Sequence, residues 1–444
     1  MKTNPVYLAA ILLCSLFIAL NRQGAAQQIQ DAQSPDSLTT IHVDTNALLL
    51  PVVVRDASGH AVGTLGKQDF QVFDQGKAQP ISGFSVVKSE ASTANAQTPG
   101  AKAADSDRPS IPPVTALTNS QKRFVVFLFD DRHFTPGDLL QAQKAGTAML
   151  TDFLSPSVTA VVLSFTGVNS GTTHNPAPLQ AAIMKLKAKD RNQGAIIQCP
   201  EIDYYLADQI ENAHNTIAFE AALQKTNNCA NLERGMGSNP QDLKNGQDLV
   251  RTAASQALQI GDQDARESLM YIRSVIHTMS KQEGQKTLIL ISPGFLSTSG
   301  DSMGLKSQIL NLAAASSVTI SALDVRGLSS NDMNASVGGS GAFNSMVTGQ
   351  DSQDIRDSAR ANQDVMAELA DGTGGTFIHN SNDLEGGLRS LYAMPEYMYL
   401  LEVSLKNVKP NGSYHQLQVK VDQSGLKLQT RKGYIAPTST ASRN

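Results

Sequence analysis

Apolar positions along the chain follow two rhythms, and the change between them divides the sequence. From 38 to 88 the period is two: Leu48 to Val54 is an apolar, β-branched run, Asp56 to Gly59 carries turn residues, and Asp69 to Gly76 and Ile81 to Val87 alternate. Period two puts successive side chains on opposite faces of a strand, so this stretch predicts a small β module. Between 121 and 394 the order becomes strand, helix, strand. Phe124 to Phe129 and Thr159 to Phe165 are continuous apolar runs that read as strands buried on both faces. Asp138 to Leu154 has helical spacing through Leu140, Ala145, Ala148, Met149 and Phe153. Helices over Arg266 to Met279, Leu305 to Ala315 and Asp354 to Leu369 alternate with strands over Thr287 to Ile291 and Val318 to Leu323. A turn at Gly374 leads into a short strand ending at Ile378, and Asn382 is expected to cap a last helix through Leu391. This alternation predicts an α/β fold, a doubly wound, mostly parallel sheet with helices on both faces.

Period two returns from 395 to 437. Tyr397 to Leu405 and Tyr414 to Val421 flank the turn Lys409 to Gly412, and Leu426 to Tyr434 reads as one more strand. Neither β stretch has enough strands to bury a face alone, so the two are expected to complete one smaller β-sandwich around the inserted central domain. Two interruptions break the central rhythm. The stretch 190–262 is rich in Asn and Gln and reads as a partly helical insertion, and Ser329 to Ser352, rich in Gly, Ser and Asn, reads as a mobile loop. Residues 27–37 and 89–120 read as linkers, the second disordered, and 438–444 as a tail.

The first residues change the compartment. Lys2, the apolar run Val6 to Leu20 and the small residues Gly24, Ala25 and Ala26 have the order of a secretory signal over 1–26. A retained anchor is the alternative, but the run is shorter than the ~20 residues of a spanning helix. The product is therefore expected to be exported, periplasmic or extracellular, with no stable membrane span after processing. Cys14 leaves with the signal, and Cys199 and Cys229 remain, an even pair expected to form a disulfide where oxidation persists. Two separately buried thiols are the alternative. A net charge of -4 and the absence of Trp give no basic surface and few stacking platforms, so no nucleic-acid partner is expected.

Four strings carry a resemblance: Arg123 to Asp130 (RFVVFLFD), Gln285 to Gly294 (QKTLILISPG), Ile320 to Gly327 (ISALDVRG) and Leu369 to Phe377 (LADGTGGTF). In this order they resemble the von Willebrand factor type A fold. With the flanking Asp69-Phe70 and the ending Arg431 to Tyr434, the chain is similar to the exported VWFA-related acidobacterial domain family. In the wider family a D-x-S-x-S loop, a later Thr and an Asp in a T-D-G turn hold one divalent cation, completed by an acidic residue of a protein partner. Here the first loop reads Asp130, Asp131, Arg132, His133, Phe134, keeping the leading carboxylate and replacing both hydroxyls. Gly194-Ala195 stands in place of Gly-Thr, and Ser292, Pro293, Gly294 in place of Thr-Asp-Gly. The resemblance thus implies a degenerate site around Asp130, Ala195 and Pro293, with no metal and no cofactor expected and with Arg132 adding repulsive charge.

Two functions remain open. One is a protein-binding module whose partner, of unknown identity, meets Asp130, Asp131, Arg132, His133 and Ser292. The other is an extracytoplasmic hydrolase-like enzyme using the Asp130 to His133 loop as an acid/base cluster at the sheet's carboxyl edge. Against catalysis, the chain has no G-x-S-x-G, no H-E-x-x-H and no P-loop, and Gly372 to Gly375 precedes a strand rather than following one. Asp130 capping its own turn is the structural alternative, so no catalytic residue is assigned. N-terminal sequencing of the exported protein is expected to read from Gln27; a chain still beginning at Met1 contradicts the signal.

Overall fold

A computed structural model describes residues 47–58, 60–88, 122–151, 158–188, 199–232, 239–328, 344–393, 395–406 and 414–436. The expected signal over 1–26, the linkers over 27–37 and 89–120, Gly194-Ala195, residues 329–343 of the expected loop and the tail over 438–444 lie outside them. The chain opens with β1 (Ala47–Arg55), β2 (Phe70–Asp74), β3 (Lys77–Gln79) and β4 (Ile81–Lys88). The central part runs β5 (Arg123–Phe129), α1 (Pro136–Thr151), β6 (Val158–Ser164), α2 (Pro176–Met184), α3 (Tyr204–Glu211), α4 (Thr216–Cys229) and α5 (Pro240–Met279). It continues through β7 (Gln285–Ser292), α6 (Gly300–Ser316), β8 (Val318–Asp324), α7 (Asn344–Thr373), β9 (Phe377–Ile378) and α8 (Leu384–Tyr392). The chain then closes with β10 (Tyr397–Ser404), β11 (Tyr414–Val421), β12 (Lys427–Gln429) and β13 (Gly433–Ile435).

The fold is mixed α/β. Five parallel strands lie in the order β6-β5-β7-β8-β9. Every residue of β5 is buried, because neighbouring strands cover both its edges and helices cover both its faces. Val125, Phe127 and Phe129 share a core with Met149 of α1, Ile183 of α2 and Leu388 of α8. Phe124, Val126 and Leu128 share the opposite core with Leu269 and Ile272 of α5, Ile309 of α6 and Met366 of α7. The chain passes from β6 on one side of β5 to β7 on the other, so the carboxyl ends of β5 and β7 flank the point where the order reverses. Open α/β sheets form crevices there.

Two four-stranded antiparallel sheets, β12-β1-β10-β4 and β13-β11-β2-β3, are built from both chain segments. They enclose one core that includes Leu50 and Val52 of β1, Phe70 and Val72 of β2, Tyr399 and Leu401 of β10 and Leu417 of β11. Tyr399 is fully buried, and its hydroxyl donates to the Val62 carbonyl at 2.6 Å and accepts from the Leu65 amide at 3.1 Å.

Several elements differ from the sequence reading. Leu426 to Tyr434 is two strands, β12 on β1 and β13 on β11, because the chain crosses from one sheet to the other between them. The insertion has no break at 262: α5 is a single helix of 40 residues. Its first half packs through Val250 and Ala254 against Ala207 of α3 and Ala222 of α4. Small residues do that packing, so the apolar period is faint. Residues 344–352 of the expected loop belong to α7. Asp383, not Asn382, caps α8, accepting from the Gly386 amide at 2.8 Å, while Asn382 accepts from the Leu328 amide. Cys199 and Cys229 are disulfide-bonded across α3 and α4. Among the described residues no helix is long and apolar enough to cross a membrane.

Tyr399→Phe leaves the half-buried Val62 carbonyl and the buried Leu65 amide without their partner at nearly constant core volume. Urea denaturation is expected to show a loss of about 1–3 kcal/mol; an unchanged midpoint contradicts this account of the closure between the sheets.

Candidate functional site

Asp130 follows the last residue of β5 and is fully buried at the reversal point of the sheet. Its amide donates to the Ile291 carbonyl at 2.9 Å, which fastens the loop to β7. Its side chain is saturated. Oδ2 accepts from Ser292 Oγ at 2.5 Å, and Oδ1 accepts from the His133 amide at 3.3 Å and lies 2.7 Å from His133 Nδ1. The other ring nitrogen, Nε2, lies 2.6 Å from Asp264 Oδ2 on α5.

An imidazole between two carboxylates bonds to both only when both nitrogens carry protons, that is, as a cation. Burial acts to lower the His133 pKa, but the charges and hydrogen bonds of Asp130 and Asp264 outweigh it and push it up to about 9. The ring stacks on Phe295 at 5.2 Å between centroids, which shields it from water on that side. Arg132 turns outward, and its Nη1 donates to Asp264 Oδ1 at 3.2 Å and to Glu267 Oε2 at 2.7 Å. Asp264 and Glu267 are three apart on α5 and so share a face. The loop's two cations are therefore matched by acids from the helix above. The repulsion expected of Arg132 toward a bound cation is answered by this pairing.

Asp131 points the other way, to the end of β6. It is fully buried, accepts from the Thr166 amide at 3.0 Å and takes a short hydrogen bond from the Thr166 hydroxyl. Burial raises its carboxyl pKa, and the bonds from Thr166 and Ser164 hold back part of that rise. Below Asp130, Ser292 Oγ also accepts from the Gly294 amide at 2.8 Å. Gly294 has φ +82, and a Cβ there would stand 2.1 Å from the Asn362 carbonyl oxygen, so the turn under Ser292 requires glycine. At the end of β8, Asp324 accepts from Arg326 Nε at 3.0 Å, from Arg326 Nη2 at 2.8 Å and from Gln363 Nε2 at 2.6 Å.

The structure brings Asp130, His133 and Ser292 together and separates Asp131 from them. It also corrects their expected contact role. Asp130, Asp131 and Ser292 have 0% exposure and cannot touch a partner, and only Arg132 and His133 keep part of their side chains at the surface. Asp264, Glu267, Thr166 and Phe295 were not read from the sequence. The spacing of Asp264 and Glu267 on one helical face is a signal only if that helix is extended back past Arg266.

As a cation site the arrangement does not fit. Both Asp130 oxygens hold donors, both Asp131 oxygens hold Thr166, and Pro293 brings no side-chain oxygen. Among the described residues no three His, Cys, Asp or Glu side chains converge as metal ligands. The near-octahedral oxygen shell of Mg²⁺ has no counterpart in this set. As a catalytic site it lacks a pair. Each His133 nitrogen faces a carboxylate and Ser292 Oγ faces Asp130, so no hydroxyl is aimed at the imidazole.

No protein-family model matches the sequence, and no curated protein matches it. Among solved structures, the crystal structure of the TFIIH p34 N-terminal domain aligns with 62% of this chain and 98% of its own, at 13% identity and a TM-score of 0.22. That likeness is too slight to bear on the fold or the site.

The pH dependence has a defined sign. The folded-state pKa of His133 lies above the ordinary histidine value, so its stabilisation is complete below about pH 6.5 and is lost as pH rises through about 9. The pH-dependent part of the stability difference between wild type and His133→Gln is expected to be about 3 kcal/mol. Denaturation series between pH 6 and 10 check it, and a difference independent of pH contradicts the charged imidazole.

Proposed function

We propose that this protein is an exported, metal-independent protein-binding module of the von Willebrand factor A type. The observation that carries the reading is the saturation of Asp130: a serine hydroxyl and a histidine N–H occupy both its oxygens. Where the loop of the wider family offers its leading carboxylate to a divalent cation, here a histidine and a serine hold that carboxylate. The parallel sheet with helices on both faces supports the fold assignment, and the four resembling strings fall on β5, on β7, on β8 and on the α7–β9 junction. The Cys199–Cys229 disulfide suits an oxidising compartment outside the cytoplasm.

Binding then belongs to the surface around the site rather than to its buried centre. The exposed Glu267 and the partly buried Arg132 form its charged rim. The hydrolase-like alternative lacks a free imidazole nitrogen and an aimed nucleophile, as set out above.

The test uses the mature protein as bait in envelope extracts, followed by titration of the captured protein in pure form. Glu267→Lys and Arg132→Glu are expected to weaken binding about tenfold, which is about 1.4 kcal/mol, while Lys122→Ala at the opposite strand end leaves it unchanged. Binding indifferent to both rim variants removes the proposed surface. Hydrolysis of ester or amide substrates that disappears in His133→Ala favours the enzyme instead.

A further inference from the structure

The amino ends of the parallel strands lie about 20 Å from Asp130, the length of a seven-residue strand, and there the parallel and antiparallel sheets face each other across a cavity. It measures about 140 Å³, and its wall includes Arg55, Arg123 and Arg431 together with Thr287, Ser321 and Thr376. Among the described residues no Asp or Glu lines it. Arg123 and Arg431 together with the hydroxyls, and no carboxylate among the described lining residues, make this wall electrostatically one-sided.

Arg123 is the critical wall residue. It opens β5 and is only 7% exposed. Its Nη2 donates to the Tyr392 carbonyl at 2.9 Å, and the guanidinium lies 5.2 Å from the Tyr392 ring centroid. Nε is buried and meets no acceptor. Arg431, between β12 and β13, donates from Nη1 to the Ala314 carbonyl at 3.1 Å and from Nη2 to the Leu49 carbonyl at 2.7 Å. Its Nε is likewise buried without an acceptor. Among the described residues carbonyl oxygens and an aromatic face give these two cations dipoles but no carboxylate, and burial depresses both pKa values, opposed at Arg123 by Tyr392. A buried charge without an opposite one is costly, and water filling the cavity brings none.

We infer that this cavity is a binding site for a small oxyanion, a phosphate, sulfate or carboxylate group held by Arg123 and Arg431. The guanidinium fork matches these groups in two-point contact, and hydroxyls on the wall supply further donors. The volume suits a small ligand: it equals a few waters at about 30 Å³ each. Arg431 already joins β1 to α6, so an anion beside it ties the antiparallel sheets to the parallel layer. This inference is independent of the proposed function, because it concerns the opposite end of the sheet.

The test compares thermal midpoints of the full chain in chloride with those in phosphate, sulfate and malonate at matched ionic strength, with titration calorimetry for each anion. At least one anion is expected to raise the midpoint saturably and to bind at one site. Phosphate and sulfate acting without malonate identify a tetrahedral group, and malonate alone identifies a carboxylate. Arg123→Met is expected to weaken that binding about tenfold or more, judged against the variant's own chloride midpoint. Arg431→Met gives the same loss and decides the matter should Arg123→Met not fold. No saturable effect of any of the three anions, or an effect retained in the folded variants, overturns the site.

Discussion

The pairing of β10 between β1 and β4 is the constraint on which the rest of the molecule depends. It joins segments from opposite ends of the chain: Ala47 pairs with Ser404, and Lys88 with Tyr397. The Tyr399 hydroxyl then bonds to the backbone of Leu65, 334 residues away in sequence. Whatever lies between Lys88 and Tyr397 must leave and return at one place. The first residue of β5 accordingly meets the last residue of α8, through the bond from Arg123 to the Tyr392 carbonyl. The amino edge of the parallel sheet is thereby held against the antiparallel sheets, and the carboxyl edge, with its loops, is left facing away.

That division sorts the chemistry. At the carboxyl edge each of the buried carboxylates has donors within hydrogen-bond reach, Asp131 from the neutral Thr166 and the others from cations. Asp130 meets His133, Asp264 meets His133 and Arg132, and Asp324 meets Arg326. Such a network is satisfied internally, which fixes the loop after β5 and engages both Asp130 oxygens. At the amino edge the situation is reversed for Arg123 and Arg431, whose partners among the described residues are carbonyl oxygens and a ring. The two edges differ in their company: carboxylates and their donors gather at one, and buried guanidinium groups with carbonyl partners at the other.

Much of this was legible in the sequence where burial imposes a pattern. Phe124 to Phe129 is apolar at every position because both faces of β5 are covered, and the alternation around Tyr399 and Val72 follows from sheets with one inner face. The reading weakened where packing uses small or polar residues. The first half of α5 buries Gly246, Val250 and Ala254, which give little apolar contrast, so the apolar period marks the helix only from Arg266 onward and does not reach Asp264. The strand pair β12 and β13 looked continuous because a change of sheet leaves no mark on period two. At the site, Asp130, His133 and Ser292 were visible as departures from a pattern. Their partners Asp264 and Thr166 were not, because contacts between distant segments carry no local periodicity.

The central claim is that a histidine N–H and a serine hydroxyl, not a metal, satisfy Asp130. Titration calorimetry of the mature protein with Mg²⁺ and Mn²⁺ at pH 7 addresses it most directly. The account predicts no saturable heat at this site for either ion. A one-to-one isotherm in the micromolar range that disappears in Asp130→Ala would contradict it.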